Sequence, residues 1–283
     1  MKNRSVTQLI SANRVTEGAG VTVYRTIGTA ALRNLDPFLM MDFFCSDDPN
    51  DYIAGFPDHP HRGFSTFTYM LDGHMLHQDS MGSKGDLQSG GAQWMKAASG
   101  VIHSEMPQQS HGLMRGFQLW VNLPAKEKMT EPHYQDINAT DVPCVEVDAG
   151  KIKVLIGEYE GQQGPVKEAN PGMLYLDIQL EPEGLFQHKL DAELTCFIYV
   201  FEGELSLNSS PLEQHSFAVL GEGQEVSLRT KRKPARLLLV AGYSIKEPIE
   251  QQGPFVMNTP AEIRQAFEDY RSGNLVREKI LQV

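Results

Sequence analysis

Phe67-Thr-Tyr-Met-Leu-Asp-Gly73 and Phe197-Ile-Tyr-Val-Phe-Glu-Gly203 share one pattern at an offset of 130 residues. In each, an aromatic and aliphatic run of strand length ends in an acidic residue followed by glycine. An acidic-glycine pair between strand-like runs is a hairpin signal. Val21–Ile27, Pro37–Phe44 and Gly116–Leu123 add further strand-length apolar runs without helical periodicity between them. Repeated strands and turns without helices between them predict an all-β barrel or sandwich in two copies. The polar, proline-bearing stretch from Lys126 to Val142 reads as the linker, dividing the chain into domains 1–135 and 136–283. One helix is expected near the end. Thr259-Pro-Ala-Glu262 has the form of a capping box, and Ile263, Ala266, Phe267 and Tyr270 form an apolar stripe stopped by Gly273. The helix falls in the second domain on this division, and the mixed tail from Leu275 to Val283 is assigned no role.

Composition narrows the partners. A formal charge of −11 on 283 residues repels phosphate backbones, so direct nucleic-acid binding is not expected. Cys45, Cys144 and Cys196 are odd in number and lack close spacing, which favours a reducing compartment over a disulfide framework. The N-terminal stretch has no apolar core of a signal peptide, and no apolar run approaches membrane-spanning length. A cytoplasmic protein without membrane contact is the expectation.

Chemistry concentrates in two short stretches, Gly55-Phe-Pro-Asp-His-Pro-His-Arg-Gly-Phe64 and Gly100-Val-Ile-His-Ser-Glu105. Each places two potential ligands at i and i+2, His59 with His61 and His103 with Glu105. On a strand such pairs share a face. Two pairs together offer three imidazoles and a carboxylate, a set suited to Fe, Ni, Cu, Mn or Zn and not to Ca or Mg. The competing reading is a polar turn around Pro60 with incidental histidines. At the 130-residue offset His59 becomes Lys189 and His61 becomes Asp191; past Gly221 and Gly223 no histidine stands in place of His103, and Glu225 is the nearest polar residue. The ligand set is therefore expected only in the first barrel. Phe56, Phe64, Phe117 and Trp120 could line an apolar pocket beside it or be ordinary core. Glu105 could also serve as a catalytic base if it leaves the metal.

These stretches, with Gln93-Trp-Met95, Gln118-Leu-Trp-Val-Asn-Leu123 and Gly253-Pro-Phe-Val-Met-Asn258, resemble the pirin family of the cupin superfamily over nearly the whole chain. The resemblance implies two cupin (jelly-roll-like) barrels. It implies one divalent transition metal, expected to be Fe(II) with Ni, Cu, Mn, Co or Zn as alternatives, held by His59, His61, His103 and Glu105. It also implies a metal-free second cupin. Two function classes follow from it. One is quercetin 2,3-dioxygenase-like ring opening of a flavonol or similar planar phenol with O2. The other is metal- or redox-responsive binding to a protein partner. Ser65 stands where many relatives carry glutamate, and a hydrogen bond behind the ligands is expected to differ for that reason.

Overall fold

The computed structural model describes residues 2–277. The chain forms two compact units that are interleaved in sequence. One comprises Arg14–Ile27, Phe38–Ala139 and the segment from Ile245 onward. The other comprises the segment to Asn13, Gly28–Pro37 and Thr140–Ser244.

In the first unit a seven-stranded sheet runs in the order His133–Ile137, Ala92–Lys96, Phe64–Asp72, Met114–Asn122, Phe38–Ser46, Val21–Ile27, Asn13–Glu17. A four-stranded sheet follows the order Phe56–His61, Val101–Pro107, His74–Asp79, Lys84–Gln88. Val21, Val23, Phe44, Met70 and Met114 from the larger sheet pack with Met75 and Leu87 from the smaller one. The Asp72-Gly73 turn is not a hairpin. Phe64–Asp72 pairs with Ala92–Lys96 and Met114–Asn122, whereas His74–Asp79 pairs in the other sheet. The glycine at φ +113° lets the chain cross between sheets. Local turn chemistry is the same for a hairpin and for a crossing. The long-range pairing of each strand decides between them.

The second unit repeats this plan strand for strand. Its larger sheet is ordered Val6–Ile10, Phe217–Leu220, Leu194–Gly203, Ala235–Tyr243, Leu174–Leu180, Gly150–Ile156, Cys144–Val147. Its smaller sheet is ordered Leu185–Lys189, Glu225–Arg229, Leu205–Leu207, Ser210–Leu212. The repeated stretches occupy equivalent strands. Lys189 faces Glu225 across the smaller sheet as His59 faces His103 in the first unit. A continuous core of Leu, Ile and Val side chains from both sheets, including Ile178, Leu228 and Leu237, fills this barrel.

Two sequence expectations change. The stretch expected as a linker contributes the edge strand His133–Ile137, which pairs with Ala92–Lys96. It also contributes Lys128, 1% exposed, whose ammonium donates to Gly63 O (2.7 Å), Asn122 Oδ1 (2.6 Å) and Val256 O (3.0 Å). The helix Pro260–Arg271, expected with the second barrel, belongs to the first unit. Its N-cap Thr259 accepts from Glu262 N as the capping box requires. Ile263 and Ala266 are buried with Phe255, Met257 and Leu275, against Ile102 beside His103, while Tyr270 stays 40% exposed. Much of the tail expected to lack a role, residues 278–283, lies outside the described residues.

The Phe255–Met257 strand returns tightly over the ligand stretch, with Val256 N donating to Arg62 O at 3.0 Å. Gly63 makes this approach possible. Its φ is +90°, and a Cβ there would run into the Val256 carbonyl oxygen. Gly63→Ala should destabilise the protein by about 1–3 kcal/mol from the backbone conformation alone, with the overlap adding to it. Urea unfolding measures this, and a change below about 1 kcal/mol would contradict the close approach.

Candidate metal centre

The four-stranded sheet lays three i,i+2 pairs side by side. Val101–Pro107 is the middle strand. On one side His103 faces His59, and on the other His103 faces Asp79 and Glu105 faces His77. Between the His103 and Glu105 pairings the register with Phe56–His61 shifts, because Glu105 faces Phe56. That bulge turns the strand away from Glu105 just where Pro57 and Asp58 intervene. The alternation that the sequence predicts still holds on the middle strand, with His103 1% and Glu105 6% exposed.

His59, His61 and His103 bring one ring nitrogen each to within 4.8 Å of one another, an arrangement that could hold a metal ion. Their ring centroids are 4.3–4.9 Å apart. Glu105 falls in a second, overlapping group with His77 and His103. His103 is common to both. These are the two such groups found among the described residues. In the second unit, His188, Lys189 and Asp191 line a cavity of about 490 Å³.

The donors suit a transition metal. Burial, followed by the neighbouring histidines, pushes His103 well below the usual imidazole range. Burial does the same to His61, with His59 adding to it. The Pro254 backbone opposes the shift, although Nδ1 of His61 makes no hydrogen bond of good geometry. Neutral imidazoles are the ligating form. His59 donates from Nδ1 to Pro57 O at 2.8 Å, which leaves the lone pair of Nε2 free to ligate. Nε2 of His103 is buried without a hydrogen-bond partner. A buried polar atom without a partner is costly unless something fills the role, and a cation among three imidazoles would fill it.

The wall of the site is aromatic on one side. Phe64 and Trp120 stack at 4.3 Å, and both meet the edge of His61, at 5.0 and 5.1 Å. Phe56 joins the apolar cluster around Val21, and Phe117 is fully buried against Phe43. Two of the four aromatics named from the sequence therefore reach the site. Beside Glu105, the Thr68 hydroxyl stands 3.3 Å from Oε1 and donates to Gln118 Oε1 at 2.5 Å. Thr68 shares its strand face with Phe64, so Ser65 belongs to the opposite face. Its hydroxyl is buried with no hydrogen-bond partner. Ser65 thus makes no hydrogen bond behind the ligands, and Thr68 is the hydroxyl next to the carboxylate.

Thr68, Arg62 and Asp79 escaped the sequence reading, and His77 was weighed there only as a residue that could stand behind the ligands. Thr68 carries no signal of its own. Arg62 sits between the second histidine and Gly63 and is 2% exposed. Its guanidinium donates to Ser99 O (2.6 Å), Asp269 Oδ2 (2.6 Å) and Leu275 O (3.4 Å). It joins the histidine stretch to the turn before His103 and to the helix. His77 and Asp79 form the third pair, His77-Gln-Asp79, at the same i,i+2 spacing as the other two. That spacing was the available signal.

Residues 20–121 match the Pirin family and residues 175–276 match the Pirin C-terminal cupin domain. A Pseudomonas aeruginosa protein provisionally named quercetin 2,3-dioxygenase is 46% identical over 280 residues, covering 96% of this chain and 98% of its own. Human pirin is 40% identical over 279 residues, covering 95% and 93%. The crystal structure of quercetin 2,3-dioxygenase from Acinetobacter baumannii superposes with a TM-score of 0.89 at 33% identity, covering 96% of this chain and 98% of that one. With relatives this similar along nearly their full length, and with both cupin units in place, the chain belongs to the pirin family.

Proposed function

We propose that this pirin is a metal-dependent dioxygenase of the quercetin 2,3-dioxygenase type, holding one divalent transition metal through His59, His61, His103 and Glu105. The observation that carries the reading is the convergence of three imidazoles, two of them buried and held neutral, beside a buried carboxylate. Likeness to the Acinetobacter enzyme along the whole chain supports it. Iron(II) is the proposed metal; bound there, it would supply a Lewis-acidic centre open to O2 and to a phenolic oxygen.

The protein's own part is binding and proton handling. Phe64 and Trp120 offer a flat apolar wall to a planar phenol, and His61 lies at its edge. Glu105 is the proposed base that takes the proton of the reacting hydroxyl. The single proton of the Thr68 hydroxyl goes to Gln118 at the shorter distance, so Oε1 of Glu105 keeps its capacity to accept. Burial of Glu105 and His103 excludes bulk water from the proton transfer.

Iron-loaded protein should bleach the flavonol absorbance band in air and leave it unchanged under nitrogen. Absence of turnover, with iron state still altering binding to a protein partner, would replace the enzymatic reading by a regulatory one.

A further inference from the structure

Nε2 of His103 can receive a metal only if the ring's proton sits on Nδ1, and the residues behind His103 decide where it sits. Nδ1 of His103 lies 3.3 Å from Nδ1 of His77. One proton must lie between these nitrogens, and either ring could own it. Nε2 of His77 lies 3.3 Å from Oδ2 of Asp79, and the other oxygen, Oδ1, accepts from Met81 N and Ser83 N at 2.9 Å each. A carboxylate only accepts, so Nε2 of His77 carries hydrogen, and in the neutral ring its Nδ1 presents a lone pair. His103 must then donate from Nδ1, which leaves its Nε2 unprotonated. That atom is the buried one without a partner. The ring of Tyr134 stacks on His77 at 4.4 Å and 18°, and its hydroxyl is tied to Asp136 at 2.5 Å. The side chains of His77 and Asp79 are 2% and 0% exposed, so water does not compete for these bonds.

We propose that Asp79 and His77 are positioning residues that hold His103 in the Nδ1–H tautomer and so present its Nε2 to a metal. The metal half of this inference rests on the reading of His103 as a ligand; the tautomer half does not. Carboxylate–histidine pairs commonly orient metal-binding groups directly. Here the order is acted through a second imidazole.

Asp79→Asn is the decisive substitution. The amides of Met81 and Ser83 hold the carboxamide oxygen at the Oδ1 position, so the new NH2 points at Nε2 of His77. His77 must then carry its proton on Nδ1, and His103 is forced to accept there and to protonate Nε2. A near-isosteric change thereby inverts the whole chain, and a thermal melt checks that the fold is kept. In histidine-labelled, metal-free protein, 15N-edited NMR should show His103 as Nδ1–H in the wild type and as Nε2–H in Asp79→Asn. Competition titration with Zn2+ should show a loss of about 10- to 100-fold in affinity for the variant. His77→Asn, whose oxygen replaces Nδ1 as acceptor, should keep most of the affinity that His77→Leu loses. An Nε2–H tautomer in the wild type, or an unchanged tautomer and affinity in Asp79→Asn, overturns the proposal. So do two zinc ions per wild-type chain falling to one in His77→Leu, since His77 is then itself a ligand. If the wild type binds no zinc while the tautomer still responds to Asp79, the positioning role stands and the metal reading falls.

Discussion

His61→Ala should leave the chain folded yet unable to keep its metal, with affinity reduced by more than about 100-fold, beyond what loss of an outer partner costs. Wild-type protein should retain about one transition metal per chain, as a single site of this ligand type predicts. Three features make His61 the sharpest choice. It is 3% exposed, it is held neutral by burial, and its ring lies within 5 Å of both other imidazoles. His188→Ala removes the half-buried histidine of the second barrel and should change neither metal content nor flavonol turnover. Elemental analysis after gel filtration, with the turnover assay alongside, reads both variants. Equal metal in the wild type and His61→Ala would sink the site.

Arg62→Ala should give the largest loss of stability, about 3 kcal/mol or more, because it strips a buried guanidinium from three acceptors at once. Ser99 O and Leu275 O would be left without it, and Asp269 would lose its ion pair. Calorimetry or urea unfolding measures the loss; a change under about 1 kcal/mol would show that the clamp is not needed. Metal affinity should weaken as well, since Arg62 adjoins His61 and holds the turn before His103. The pair also has a pH signature. Burial would raise the Asp269 carboxyl, but the hydrogen bond and charge of Arg62 win and hold it below its ordinary value of 3.8. A folded value below the unfolded one stabilises fully above the unfolded value and is lost as pH falls through the folded one. Wild type should therefore lose stability with acid below about pH 4 through this group. Arg62→Ala should lose the Arg62 part of that component and keep what the Gln265 hydrogen bond contributes.

Much of the architecture was legible because strand periodicity is local. The run Val21–Ile27 is a strand over those very residues, and the stretches around Phe67 and Phe197 occupy equivalent strands. Legibility ended where a decision depended on distant chain. Asp72-Gly73 looks the same in a hairpin and in a crossing between sheets. The polar composition of 126–142 hid an edge strand, because an edge needs only one apolar face. The helix could be recognised from its cap and stripe but not assigned to a barrel, since an apolar stripe does not name what covers it. Terminal segments also trade places: Val6–Ile10 pairs with Phe217–Leu220, while residues from Ile245 onward complete the unit that carries the histidines.

At the candidate site the division is the same. Spacing at i and i+2 determined that His59 with His61, and His103 with Glu105, would share strand faces, because side chains alternate along any strand. The sequence alone also determined that the second copy would carry Lys189 and Asp191 in place of the histidines. Strand order and register lie beyond it. They placed Asp79 opposite His103 and His77 opposite Glu105, shifted the pairing with Phe56–His61 between His103 and Glu105, and packed Arg62 between Ser99 and Asp269. These contacts join residues from 24 to 207 positions apart. The free energy that selects them comes from burying whole sheets against one another, and no local pattern encodes it.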